Sequence, residues 1–172
     1  TCGGAVFVYS VSDMSNSVIN FSRFDSNQII GNGLNKKKGF YGGSGAFFCT
    51  KSLSIHDCMF IKNKGSTGGL KIYNDFSEVR TKIKTKNYLE SIQGLIIVSN
   101  CSFELNDDSK TSIYYVNGKD GSRIGIVNCR FNSKLDKKNS HIDGKEWSVD
   151  SPKISIKSCS FQKVADNVKS TF

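Results

Sequence analysis

Proline is nearly absent: Pro152 stands alone among 172 residues. Proline breaks backbone ladders and stiffens linkers, so its scarcity excludes a proline-rich spacer and leaves long stretches free to pair. No run of about 18 apolar residues occurs, which excludes an apolar membrane-spanning helix. Nor is there a charged start followed by the apolar core of a signal peptide. The chain has no initiator Met and opens directly in Cys2-Gly3-Gly4-Ala5, a motif that recurs in part later. The expectation is an internal piece of a longer protein.

What is present suits many short strands. Hydrophobic residues make up 37% of the chain and the mean hydropathy is −0.33, the balance of a water-soluble domain with a core. The 16 glycines, with many Asn, Asp and Ser, supply turn chemistry. Lys and Arg number 24 against 15 Asp and Glu, a net charge of +9 that favours anionic partners.

A repeat organises the chain. Aligned on a Phe, the copies are Ser17 to Phe24, Leu53 to Phe60, Ile96 to Phe103, Ile124 to Phe131 and Ile154 to Phe161. In each, apolar residues alternate, then a residue that is usually Asn, Asp or Ser precedes Cys-x-Phe, which in the first copy is Ser22-Arg23-Phe24. This predicts strand, one-residue corner, strand, with the aliphatic pair, the Cys and the Phe on one side. Asn27, Asn63 and Asn106 stand three residues after the Phe in the first three copies, whereas Lys134 and Val164 hold that place in the last two.

Between these copies lies a second element, a glycine turn entering a short apolar strand: Gly3 to Val8, Gly42 to Phe48 and Gly68 to Tyr73. Ser112 to Val116 and Trp147 to Val149 occupy the corresponding later gaps without the double Gly. Roughly three short strands per unit cannot bury their apolar sides alone and do so by stacking about 4.8 Å apart. The fold class expected is all-β, a right-handed parallel β-helix of about five rungs. Its core would be an aliphatic ladder (Ile19, Ile55, Val98, Ile126, Ile156) and an aromatic one (Phe24, Phe60, Phe103, Phe131, Phe161), with further rungs of the same chain at both ends.

Repeat spacing runs from 28 residues, Phe103 to Phe131, to 43, Phe60 to Phe103. Polar insertions account for it: Gly31 to Gly39, Asn74 to Gln93 and Ser133 to Glu146. They would leave the stack as side loops, where binding residues often sit. No linker divides the chain, so one domain over residues 1–172 is expected.

The alternation of Gly-Gly-Ala and aliphatics (Gly3 to Val6) with Phe-x-x-Asn (Phe24 to Asn27, Phe60 to Asn63, Phe103 to Asn106) resembles the polymorphic outer-membrane-protein repeats. The resemblance implies a right-handed parallel β-helix of the pectin-lyase-like type, an adhesive or structural part of a large surface protein, extracellular or at the cell surface. It carries over no catalytic residue.

The chemistry-bearing residues have structural readings. Cys58, Cys101, Cys129 and Cys159 fall in one inward column, where a free thiol packs as core; disulfides between neighbouring rungs are the alternative. No Cys-x-x-Cys pair or Cys/His cluster has zinc-like spacing, so neither metal nor cofactor is expected. The Asn27, Asn63, Asn106 column reads as a hydrogen-bonded ladder. His56 and His141 read as surface residues, since neither has a partnered nucleophile at a recognisable spacing.

No enzyme is expected. Polysaccharide lyases and hydrolases share this fold class, and need clustered carboxylates; Asp107-Asp108 is the best candidate, without a matching acidic pair in the next copies. The candidate binding residues are Lys36, Lys37 and Lys38, then Lys82, Lys84 and Lys86, then Lys137 and Lys138, which would form a basic strip if their loops leave on one side. Acidic glycans or a host or cell-surface protein are the partners expected. Nucleic acid is disfavoured by scarce Arg and the lack of a binding motif. A surface or adhesive scaffold is the first reading, a carbohydrate-active enzyme the second and a polyanion binder the third.

Overall fold

The computed structural model describes residues 5–9, 16–28, 45–50, 52–64, 68–74, 94–104, 111–117, 123–133, 140–146 and 154–163. Among them are strands and no helix, and none is a helix long and apolar enough to cross a membrane. The strands come in triplets. The first is β1 (Val6–Tyr9), β2 (Asn16–Asn20) and β3 (Arg23–Asp25); the second is β4 (Ala46–Cys49), β5 (Ser52–His56) and β6 (Met59–Ile61). The third is β7 (Leu70–Asn74), β8 (Leu95–Ser99) and β9 (Ser102–Glu104). The fourth is β10 (Ile113–Asn117), β11 (Arg123–Val127) and β12 (Arg130–Ser133); the fifth is β13 (Ile142–Glu146), β14 (Ile154–Lys157) and β15 (Ser160–Lys163).

Each triplet contributes one strand to each of three five-stranded sheets, ordered β1-β4-β7-β10-β13, β14-β11-β8-β5-β2 and β15-β12-β9-β6-β3. Every pairing between these strands is parallel. The register aligns the repeat with itself: Ile19, Ile55, Val98, Ile126 and Ile156 are successive partners, as are Phe24, Phe60, Phe103, Phe131 and Phe161.

Alternation puts one side of each sheet into a single core, which takes Phe48, Leu70 and Ile72 from the first sheet, Leu53, Ile55, Ile96 and Val98 from the second, and the Phe ladder from the third. Neighbouring Phe rings lie 4.7 to 5.0 Å apart, centroid to centroid, with planes within 7° of parallel. The separation equals the strand spacing, so the backbone ladder sets the ring stack. The last members differ: Ile156 is 46% exposed and Phe161 50%, because no described strand pairs with the far side of β14 or β15.

The corner between the second and third strands of a triplet is made by one left-handed residue. Asp57, Asn100, Asn128 and Ser158 have φ between 52° and 55°, and Phe21 has φ 49°. Asp and Asn tolerate this conformation because their short side chains bond locally, which is why the repeat places them before Cys. The corner amides continue the ladder: Asp57 N–H donates to Ser99 O at 3.1 Å and Asn100 N–H to Val127 O at 3.1 Å. The Cys that follows also lies outside both strands, so the corner is one residue longer than the predicted one.

The first sheet departs from the sequence reading at its last strand and at the bounds of two insertions. The fifth strand of the first sheet is Ile142–Glu146, whereas Trp147 to Val149 lie outside the described residues. The segment Ser133 to Glu146 is therefore not all insertion, since it holds the end of β12 and all of β13. Asn74, likewise, ends β7 and does not begin a loop.

Glycine is required where the first sheet meets the Phe ladder. A Cβ on Gly69 would meet Phe103 Cδ1 and Ser112 O, each at 2.9 Å; one on Gly45 would meet Gly69 O at 2.7 Å and Phe60 Cδ1 at 2.9 Å. Gly69→Ala is expected to lower stability by about 1–3 kcal/mol through overpacking, read as a lower urea midpoint at unchanged slope.

Candidate binding surface

The eight candidate lysines, Lys36 to Lys38, Lys82, Lys84, Lys86, Lys137 and Lys138, lie outside the described residues, as do Asn106 and Asp107-Asp108. What the described residues assemble is the inward columns and the outer faces of the sheets.

The inward polar columns are structural. Asn63 is fully buried; its Oδ1 accepts from Asn27 N at 3.1 Å and Asn27 Nδ2 at 2.9 Å, and its Nδ2 donates to Phe24 O at 2.9 Å. The two Asn side chains thus tie one triplet to the next at the second corner, where Ser26 and Lys62 are left-handed. Cys58, Cys101, Cys129 and Cys159 are free thiols, the first three buried. Each sulfur lies near the carbonyl two residues back and a carbonyl of the preceding triplet, as Cys58 does with His56 O at 3.1 Å and Ile19 O at 3.7 Å. The Cys129 sulfur alongside and burial together push Cys101 up, and burial pushes Cys58 and Cys159 up, so these three thiols stay protonated and unreactive at neutral pH, while the hydrogen bond with Cys101 draws Cys129 down.

The histidines separate. His56 is on the outer face, half-buried, with its Nδ1 hydrogen-bonded to Ser99 Oγ. His141 is not a surface residue: it is 9% exposed, because it occupies the column of Gly45, Gly69 and Ser112 at the head of β13, turned to the Phe ladder.

Among the described residues carboxylates do not cluster, and no group of three His, Cys, Asp or Glu could hold a metal ion. Asp25 and Glu104 share an outer column of the third sheet with Ile61 between them. Asp25 is engaged locally: Arg23 donates to its Oδ2 from Nε at 3.0 Å and Nη2 at 2.6 Å. Hydrogen bonds from Arg23, then Ser26, hold that carboxyl below the usual range, the opposite of what a general acid needs.

On the outer side of the first sheet, Lys71 Nζ sits 5.6 Å from the centroid of the Tyr114 ring, a cation–π distance. Burial, then the charge of neighbouring Asp143, pushes the Tyr114 hydroxyl pKa up. Lys71 is itself buried, so this part of the face is covered.

The outer face of the second sheet is open and of one electrostatic sign. Asn16, Val18 and Asn20 on β2 align with Ser52, Ser54 and His56 on β5; Leu95, Ile97 and Ser99 on β8 align with Arg123, Gly125 and Val127 on β11. Ser155 and Lys157 complete it on β14. Arg123 and Lys157 are exposed, and among the described residues no carboxylate stands on the face. Its middle column, Val18, Ser54, Ile97, Gly125 and Ser155, is low at Gly125, where an added Cβ would find nothing nearer than Ile96 O at 3.9 Å. Hydroxyls and amides beside small apolar patches, with cations at the rims, can hydrogen-bond sugar hydroxyls, pack against their C–H faces and attract an acidic group.

Comparison of the chain with protein-family models, with curated proteins and with solved structures gave no match.

Proposed function

We propose that this chain is a segment of a right-handed parallel β-helix that acts without catalysis as a surface or adhesive scaffold, extracellular or at the cell surface, contacting acidic glycans. The observation that carries the reading is the outer face of the second sheet, which offers Arg123, Lys157 and a field of Ser and Asn with no carboxylate among the described residues. The in-register parallel sheets support the β-helix, since stacked columns of like residues are how a solenoid buries its repeats. The paired state of Asp25 weighs against acid–base hydrolysis among the described residues. The lysine-rich segments would add to the same attraction.

A glycan array screened at two salt concentrations, with uronate polymers included and products examined for cleavage, tests it. Acidic glycans are expected to be retained intact, less so at high salt. Arg123→Ala with Lys157→Ala is expected to weaken retention about 2- to 30-fold, from about 0.2–1 kcal/mol for each exposed charge contact. Cleavage overturns the scaffold reading in favour of a carbohydrate-active enzyme. Retention unchanged in the double variant moves the contact to the lysine segments.

A further inference from the structure

His141 holds an inward place that the second and third triplets give to glycine. The column runs Ala5, Gly45, Gly69, Ser112, His141, and at its two glycines the Phe60 and Phe103 rings lie where a Cβ would be. In the fifth triplet an imidazole enters that space, 5.6 Å from the Phe131 ring at 44° and 5.8 Å from the Phe161 ring at 38°. Its buried Nδ1 has no hydrogen-bond partner among the described residues. One side chain therefore joins three strands: it is rooted on β13 and packed on Phe161 of β15 and Phe131 of β12. The triplet it fastens is the least buried, as the exposure of Ile156 and Phe161 records.

We propose that His141 is an acid-released latch: its neutral imidazole holds β13–β15 on the stack, and protonation loosens that triplet while β4–β9 stay closed.

An imidazolium has two N–H donors, and here Nδ1–H would be left without an acceptor among aromatic rings. Among the described residues no nearby group compensates. On β10 the titratable residues are Tyr114, on the outer face beside Asp143, and Tyr115, partly buried against the core; on β12 it is Arg130, exposed and of like charge. Asp143 of β13 is exposed, its Oδ1 accepting from Gly144 N at 2.8 Å. Burial accordingly lowers the His141 pKa from the ordinary 6.5, against a weaker opposing effect of the Gln162 backbone. The unfolded chain then binds the proton more readily than the folded one. The stability from neutral His141 is complete above pH 6.5 and is lost as pH falls below it toward the folded-state pKa. Loss falls first on β13–β15, which among the described strands have neighbours on one side only.

Hydrogen exchange read by mass spectrometry at pH 7.5 and 5.5, corrected for intrinsic rates, tests the latch. The expected result is lost protection in β13–β15 at the lower pH with β4–β9 unchanged, and no such loss in His141→Phe. Unchanged protection, equal loss in every triplet, or the same loss in the variant overturns it. Should His141→Phe fail to fold by circular dichroism, the wild-type chain decides by NMR, since it has only two histidines. A His141 resonance titrating at or above the ordinary value overturns the latch, and one titrating below it with opening of β13–β15 sustains it.

Discussion

Phe103→Ala is expected to lower the unfolding free energy by about 3–5 kcal/mol, the largest effect of any single truncation considered for this chain. Its ring is fully buried and stacked on both faces, against Phe60 at 4.8 Å and Phe131 at 5.0 Å. Removing it leaves a void in the middle of the column and breaks two aromatic contacts, which no single neighbour can refill. The control is Phe161→Ala. Phe161 has the same place in the repeat, but is 50% exposed and stacked on one side, so it is expected to cost roughly half as much or less. Urea unfolding of both variants checks this, and equal losses would mean that the ladder does not end as described.

The second large effect is expected from Asn63→Ala. Asn63 is buried, and its amide group satisfies the Phe24 carbonyl and both Asn27 donors. Truncation strands groups of the neighbouring triplet, at about 1–3 kcal/mol for each that stays buried without a partner. Asn27→Ala removes a half-buried donor that water can replace around, and should cost less. Thermal unfolding of the pair reads the difference; a milder Asn63→Ala than Asn27→Ala would contradict the ladder.

The second and third sheets were legible in the sequence because one local rule, an Asx or Ser corner before Cys-x-Phe, makes the corner and both flanking strands. Phe21 breaks that rule, and only the regularity of the other copies identifies its position as a corner; there it is left-handed and 83% exposed. The first sheet was legible only while Gly-Gly marked it. At β13 the strand reads Ile142-Asp143-Gly144-Lys145-Glu146, polar enough to pass for a loop, and the more apolar Trp147 to Val149 drew the assignment instead. Its membership comes from pairing with β10, a long-range fact with no local sign. His141 was misread for the same reason, since nothing about a histidine beside Asp143 tells that its column is the one turned to the Phe ladder. The open face of the second sheet was overlooked because lysine runs stand out in a sequence, whereas the lack of acids across alternate positions of separate strands shows only once they are aligned.

Each strand pairs only with its counterpart one triplet before or after, never two away. The first pairing to form must close a long stretch of chain, such as the 28 residues from Phe103 to Phe131; after that, each triplet meets a ready edge. Closure entropy rises only with the logarithm of the distance, so a connector of twice the length costs about 0.6 kcal/mol more. Growth of the stack is therefore almost indifferent to how far apart the strands lie in the chain, and the stretches between them are free to lengthen and diversify while the strands that carry them stay the same.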